Sequence, residues 1–184
     1  MAANKPVIST SFSYETLEET LDIKPQGAKL HIGIPKEIAF QENRVSLIPD
    51  AVSVLVSNGH EVTVEHNAGA SSHYTDKEYA EAGAKIVYDR AEVMKAPILS
   101  KSAPVVEEDL PLLQLNQTII SPIHLSALKK EHIEKMMEKR ITALSYENMK
   151  DASGTYPIVR SMSEIAGSAV MLIAGQYLSS FNKG

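Results

Sequence analysis

The chain has 184 residues, and its 18 basic and 23 acidic side chains leave a net charge of −5. Apolar residues make up 43% of it and charged residues 22%, which are ordinary values for a globular domain. The acidic balance and the lack of a basic cluster argue against nucleic acid or an anionic membrane as a partner. The chain has no cysteine, which excludes disulfides, thiolate nucleophiles and cysteine-bound zinc.

The nine glycines are widely spaced, and the closest two are six residues apart. The sequence therefore contains no G-x-G, which excludes both a glycine-rich dinucleotide-binding loop and a phosphate-binding P-loop in these residues. We accordingly expect this chain by itself to bind no nucleotide cofactor. No two histidines have the spacing of metal ligands, so we predict no metal site.

Residues 1–28 are interpreted as an N-terminal extension, because the run is polar, shows no clear period and ends in a Pro-Gln-Gly turn signal. The first residues lack the apolar stretch of a secretory signal. The most apolar stretch of the chain, 165–178, is too short to span a bilayer. We therefore expect a cytoplasmic protein with no membrane partner.

From Lys29 onward, short runs rich in β-branched residues alternate with helical stretches. The runs begin near Leu30, Val62, Ile86, Ile98, Ile119 and Ile141. Strands that alternate with helices predict βα units and a mostly parallel sheet with both faces covered. We thus predict a doubly wound, flavodoxin-like α/β domain over 29–160, followed by a long helix over 161–184.

The first two helices carry clear end signals. Pro49 is placed to open one helix, and Gly59 is placed to close it in a left-handed conformation. Thr75 and Glu78 have the spacing of a capping box, and Gly83 follows at the end of that helix.

The later helices have weaker signals. Ser126 precedes a helix whose predicted apolar stripe consists of Leu128, Ile133, Met136 and Met137. Ser161 and Glu164 have the spacing of a capping box at the start of the last helix, which we expect to run to about Phe181. Gly167 and Gly175 would let another element approach that helix closely. Its apolar residues surround most of its circumference, which predicts burial and hence self-association.

Ligands of open parallel sheets bind outside the carboxyl ends of the strands, so polar residues at those positions are the candidates. Arg44 lies in the loop that follows the first strand, and its guanidinium could bind a carboxylate through two hydrogen bonds. The alternative is a solvated arginine that pairs with Glu42 or Glu37.

Two further candidates follow later strands. His124 follows the fifth strand and could donate to a carbonyl oxygen or act as acid or base, unless it only caps or packs. Lys101 follows the fourth strand and could neutralise a carboxylate, unless it is a solvated strand-end lysine. The turn Ser161–Gly167 offers free N–H groups at a helix start, with Met162 as an apolar wall.

Four strings in one order resemble a known family. They are HIGIPKEIAFQENRVSLIP from residue 31, GHEVTVEHNAGASSHYTDKEYAEAGAKIV from residue 59, PIHLSAL from residue 122 and SMSEIAG from residue 161. Together they resemble alanine dehydrogenases and the alpha subunit of proton-translocating nicotinamide nucleotide transhydrogenase, over about 30–184. His124-Leu125 and Met162-Ser163-Glu164 make the chain more similar to the alanine dehydrogenases.

The resemblance implies roles for the candidates. Arg44 matches the arginine that binds the carboxylate of alanine or pyruvate, His124 matches the acid/base histidine, and Met162 matches a residue of the substrate pocket. The family's lysine falls on Lys101 if the strings are shifted by one residue, and on Ser102 if the prolines are aligned without a gap. We take Lys101 as the second catalytic candidate.

The resemblance also implies a fold like the catalytic domain of formate and glycerate dehydrogenases and a separate Rossmann domain that binds NAD after the long helix. This chain would then be the substrate domain of an enzyme that interconverts L-alanine and pyruvate plus ammonia, inactive by itself. The apolar last helix, and not the resemblance, predicts a homo-oligomer. A transhydrogenase alpha-type subunit, a relative of saccharopine dehydrogenase and a non-catalytic binding module remain as alternatives.

Overall fold

A computed structural model describes residues 28–124 and 128–179. In these ranges the chain forms six strands and five α-helices. They are β1 His31–Ile34, α1 Pro49–Ser57, β2 Glu61–Glu65, α2 Asp76–Glu81, β3 Lys85–Val87, α3 Arg90–Val93, β4 Ile98–Ser100, β5 Thr118–Ser121, α4 Lys130–Glu138, β6 Thr142–Ser145 and α5 Pro157–Leu178. The predicted extension and the predicted cap Ser126 lie outside the described residues.

The strands form one sheet in the order β3-β2-β1-β4-β5-β6, and every pair is parallel. β1 lies in the interior, where Ile32 pairs with Val62 on one side and with Ile98 on the other. The chain therefore winds outward from β1 in both directions, which confirms the predicted doubly wound α/β fold.

Apolar side chains of the strands and helices form two buried clusters. One lies around β1, β2, α1 and α2, and it contains Ile34, Val52, Val62, Val64, Ala68 and Tyr79. The other lies around α3, β4 and β5, and it includes Val93, Met94, Leu99, Leu110 and Ile119. Fully buried Tyr79 donates its hydroxyl to the Leu47 carbonyl at 2.8 Å, and burial raises the pKa of Tyr79 to about 12.

The end signals of the first two helices are confirmed. Pro49 is the first residue of α1, and Gly59 follows it with φ of 86°. The Thr75 side chain accepts from the Glu78 N–H while the Glu78 carboxylate accepts from the Thr75 N–H, so the capping box is complete. Gly83 follows α2 with φ of 91°, a left-handed conformation that glycine adopts without strain.

The predicted apolar stripe of α4 is partly wrong. Met137 is 71% exposed, whereas His132 is buried at 7% exposure. Met136 still packs against a core cluster. His132 and Met136 are four residues apart, so they share one helix face, and Met137 falls on the neighbouring face. His132 therefore faces the interior of the fold.

The start of the last helix also differs from the prediction. α5 begins at Pro157, and Ser161 lies one turn inside it, where its hydroxyl donates to the Pro157 carbonyl. Glu164 accepts from Arg160 in an exposed pair, so Ser161 and Glu164 form no capping box. The earlier start is explained by Pro157, because a proline lacks a backbone N–H and the first residue of a helix has no partner for that group.

The exposure of α5 is the second difference from expectation. In the described residues nothing apart from the adjacent backbone of α5 itself lies within 4 Å of a Cβ built on Gly167 or Gly175, so neither is a close-packing point here. α5 has 22 residues and is long and apolar enough to cross a membrane by length and composition alone, a test that the core helix of a soluble protein also passes. None of its residues is buried.

Candidate functional site

A cavity of about 680 Å³ opens at the carboxyl edge of the sheet, between the ends of β5 and β6 and the first turns of α5. Its lining residues are Arg44, Pro122, His124, Tyr146, Glu147, Val159, Met162, Ser163, Ile165 and Ala166. Three of the four predicted site residues, Arg44, His124 and Met162, therefore line one cavity. Lys101 does not line it.

Arg44 reaches the cavity from the loop between β1 and α1, and Glu42 fixes its guanidinium. Nε donates to Glu42 Oε1 at 2.8 Å and Nη2 donates to Glu42 Oε2 at 2.6 Å. This pairing lowers the pKa of Glu42 and raises that of Arg44. The pairing that the sequence offered as an alternative to ligand binding is thus present. It occupies one edge of the guanidinium, and the fork has five N–H donors.

His124 follows β5 and is held by Glu147, which follows β6. His124 Nδ1 lies 3.0 Å from Glu147 Oε2, and Glu147 Oε1 accepts from the backbone N–H of His124 at 3.0 Å. The two residues meet because Ser121 of β5 pairs with Ser145 of β6, so the segments that follow these strands run side by side. His124 adopts φ of 46°, a left-handed conformation.

Tyr146 and Glu147 were missed at the level of the sequence, although the rule that selected the other residues would have found them. Both follow directly after β6, which ends at Ser145. Tyr146 donates its hydroxyl to the Ser102 carbonyl at 2.9 Å, and burial raises its pKa. The run SYEN after a short strand was the available signal.

The first turns of α5 form the apolar wall of the cavity. Val159, Met162 and Ala166 follow one another at intervals of three and four residues, so they lie on one helix face. Ser163 adds a hydroxyl to the same wall. Met162 is 39% exposed, which fits a side chain at an open cavity better than one in a packed core.

Lys101 lies instead in the interior, with 1% of its surface exposed. Its Nζ is 2.8 Å from Glu37 Oε2 and 3.2 Å from Asp109 Oδ2. Ser102, the other residue that could take the lysine's place in the family pattern, is also buried, and its N–H donates to Glu37 Oε1 at 2.5 Å. Lys101 is therefore neither solvated nor in contact with the cavity.

The two carboxylates around Lys101 belong to a larger charge network, which is buried at Lys101 and Asp109 and half-buried at Arg90 and Glu65. Arg90 donates to Asp109 through Nη2 at 2.6 Å and to Glu65 through Nη1 at 2.8 Å. The network thus joins two cations, Lys101 and Arg90, to three carboxylates, Glu37, Asp109 and Glu65. Buried charges are tolerated when they are paired in this way. No group of three or more acidic or histidine side chains that could hold a metal ion occurs within residues 28–124 and 128–179.

Comparison with known proteins identifies the family. Residues 33–166 match the model of the "Alanine dehydrogenase/PNT, N-terminal domain" family, which is well over half of the chain. The chain belongs to this family. It is similar to the alanine dehydrogenase of Staphylococcus epidermidis, with 34% identity over 155 residues, and to that of Staphylococcus saprophyticus, with 36% identity over 153 residues.

Solved structures agree with this assignment. The fold matches an L-alanine dehydrogenase with a TM-score of 0.80 and 32% identity, over 84% of this chain and 43% of that one. It also matches the transhydrogenase from Sinorhizobium meliloti with a TM-score of 0.60 and 27% identity, over 65% of this chain and 35% of that one. The chain covers 42% of the Staphylococcus epidermidis protein and 41% of the Staphylococcus saprophyticus protein, and these matched parts take up 84% and 83% of this chain. It thus corresponds to the N-terminal domain of alanine dehydrogenase-like proteins.

Proposed function

We propose that this chain is the substrate domain of an alanine dehydrogenase, in which L-alanine, NAD⁺ and water are converted to pyruvate, ammonium, NADH and a proton. One observation carries the proposal. Arg44, His124 and Met162 line the same cavity at the carboxyl edge of the parallel sheet, where ligands of such sheets bind. The relatives named alanine dehydrogenase support the choice of substrate.

Each residue has a task that follows from its chemistry. Arg44 binds the substrate carboxylate with the guanidinium N–H groups that do not donate to Glu42. His124 exchanges a proton with the reacting centre, because imidazole changes its charge near neutral pH. Met162 and Val159 contact the substrate's methyl group and exclude water from one side of the cavity.

For Lys101 we propose a structural task in place of direct catalysis. Its Nζ is enclosed by Glu37 and Asp109 and is withdrawn from the cavity. Glu37 also accepts from the backbone of Ser102, whose carbonyl accepts from Tyr146. The buried lysine therefore stabilises the segment around Ser102, to which the Tyr146 hydroxyl is hydrogen-bonded.

NAD does not fit the residues of this chain. The sequence has no G-x-G, and the cavity wall on α5 is apolar except for Ser163. We propose that NAD binds a different segment of a longer cytoplasmic protein, since the matched relatives are more than twice as long as the part aligned here. The chain alone then forms no NADH from alanine.

A transhydrogenase alpha-type subunit is the second candidate, favoured by the structural match to the Sinorhizobium meliloti transhydrogenase. The match to L-alanine dehydrogenase has the higher TM-score and the larger coverage. The resemblance of His124-Leu125 to the alanine dehydrogenases favours the same choice. The presence of an acid/base histidine in the cavity is therefore the feature that separates the two proposals.

Pyruvate binding to the purified chain tests the proposed substrate. We expect pyruvate to shift NMR resonances of His124, Tyr146 and Met162 in the labelled chain. Arg44→Met should weaken that binding about tenfold or more, since hydrogen bonds to charged groups contribute about 1.5–3 kcal/mol. Arg44 is more than half exposed, so the variant should fold.

The matched control is Arg160→Met, because Arg160 is an exposed arginine that pairs with Glu164 and does not line the cavity. It should bind pyruvate like the parent chain. Equal affinities of the Arg44→Met and parent chains, or pyruvate shifts that lie elsewhere, would refute the proposed substrate site.

A further inference from the structure

The carboxylate of Glu147 contacts both the backbone and the ring of His124. Glu147 Oε1 accepts from the backbone N–H of Ile123 at 3.3 Å and from that of His124 at 3.0 Å. Glu147 Oε2 lies 3.0 Å from His124 Nδ1. The backbone bonds hold His124 in its left-handed conformation, which is uncommon for residues other than glycine. Glu147 thus connects to His124 at two points.

Glu147 is suited to act as a hydrogen-bond acceptor at neutral pH. Burial opposes its ionisation, but the backbone N–H donors of His124 and Ile123, together with the His124 and Ser145 side chains, outweigh this effect and lower the pKa of Glu147. Its side chain is 21% exposed, which limits competition from water. The carboxylate can only accept, so the His124 nitrogen beside it must donate.

The other groups around the cavity do not compete for this contact. Arg44 is engaged with Glu42, and Tyr146 donates to Ser102. The α5 wall contributes Val159, Met162, Ser163, Ile165 and Ala166, none of which is charged. Among the residues that line the cavity in the described part of the chain, Glu147 is the one carboxylate.

We propose that Glu147 is a positioning residue that fixes His124 as the Nδ1–H tautomer and leaves Nε2 as the atom that exchanges the proton with substrate. Nε2 of the neutral ring is then a base towards L-alanine. In the reverse direction the protonated ring donates from Nε2 to the oxygen of pyruvate. The tautomer is a property of the chain itself, whereas its use in this proton exchange rests on the proposed function.

The tautomer is measured by nitrogen-15 NMR of the histidine-labelled chain at a pH at which the ring is neutral. His124→Gln identifies the His124 signals by their loss. The parent chain should show the Nδ1–H form. In Glu147→Gln the amide oxygen can still accept from both backbone N–H groups, while the amide nitrogen donates to Nδ1. The ring should therefore change to the Nε2–H form with the fold retained.

Two further variants complete the comparison. Glu107→Gln removes an exposed carboxylate that pairs with Lys129, and it should leave the His124 tautomer unchanged. Glu147→Ala removes the ring's partner altogether, so both tautomers should appear. If His124 shows the same tautomer in the parent and in Glu147→Gln, Glu147 has only a structural role and the proposal is wrong.

Pyruvate binding separates this inference from the proposed function. At a pH at which the ring is neutral, the parent chain presents Nε2 to pyruvate without a proton, whereas Glu147→Gln presents Nε2–H and should bind pyruvate more tightly. A chain that shows the expected tautomers but binds no pyruvate would refute the proposed function and leave the role of Glu147 intact.

Discussion

At the level of single residues, the sequence predicts which residues follow the strands, but it does not predict which side chains are buried or what they contact. Arg44, Lys101 and His124 were selected by one rule, that polar residues after strands face the ligand crevice. Two of them line the cavity, and Lys101 is buried between Glu37 and Asp109. Glu37 lies 64 residues before Lys101 in the sequence and Asp109 lies 8 residues after it. A local sequence pattern does not reveal that these three side chains meet.

Replacement of Lys101 should destabilise the fold strongly. Lys101→Met leaves buried Glu37 without its cation and leaves Asp109 paired with Arg90 alone. Removing one partner of a buried pair costs about 3–5 kcal/mol. The free energy of unfolding in urea measures this loss. Lys85→Met is the matched control, because Lys85 forms an exposed pair with Glu92 and such pairs contribute about 0–1 kcal/mol. Equal losses in the two variants would contradict a buried structural role for Lys101.

His132 predicts a pH-dependent stability. Burial lowers the pKa of His132 below its ordinary value of 6.5, so the unfolded chain binds the proton more readily than the folded one. The contribution of neutral His132 to the free energy of unfolding is therefore fully present above pH 6.5. It is lost as the pH decreases from there towards the folded-state pKa. Urea unfolding at several pH values should show this fall in the parent chain and less of it in His132→Leu.

The control for this experiment is His73→Asn, which replaces an exposed histidine with a residue that tolerates its left-handed backbone. It should keep the pH dependence of the parent chain. A His132→Leu profile parallel to that of the parent between pH 5 and 6.5 would show that His132 is not the group responsible.

At the level of elements, the short helices are explained by their own end signals, and α5 is not explained by its own contacts. α1 and α2 bury Val52 and Tyr79 against the sheet. α5 touches the domain through its first turns, at the cavity wall, and its later residues Met171, Leu172, Tyr177 and Leu178 are all more than 70% exposed. We call these four residues the apolar α5 surface. Exposed apolar surface of this kind marks an interaction site.

We expect a second copy of this chain to cover the apolar α5 surface, so the purified chain should elute in size exclusion above the 20.1 kDa of one chain. Leu172→Glu places a charge in the contact and should shift the chain towards the monomer. Met137→Glu on α4 introduces the same charge at a similarly exposed methionine and should have no effect. A parent chain that is strictly monomeric by light scattering would contradict this expectation.

At the level of the whole molecule, alternation of strands and helices was sufficient to predict the fold, because parallel βα units leave few other arrangements. Strand starts could be read from β-branched runs such as Val62 and Val64. The start of α5 could not be predicted in this way, because Ser161 and Glu164 have the spacing of a capping box but lie inside a helix that begins at Pro157. The lining of the cavity was predictable in part. Arg44 and His124 were selected as polar residues after strands and Met162 at the start of the last helix, whereas Glu147 and the burial of Lys101 depend on contacts between distant segments.

The same dependence on distant segments makes the cavity a property of the completely folded chain. β1 joins β4 through the pairing of Ile32 with Ile98, and Arg44 reaches the same cavity as Ala166 of α5. Such contacts form only after large loops have closed, so folding should be slow relative to a helical bundle of this size. An occupant of the cavity will bind the folded state alone and raise the stability of every element that contributes to it. The melting temperature of the domain can then serve as a general assay for ligands of this site.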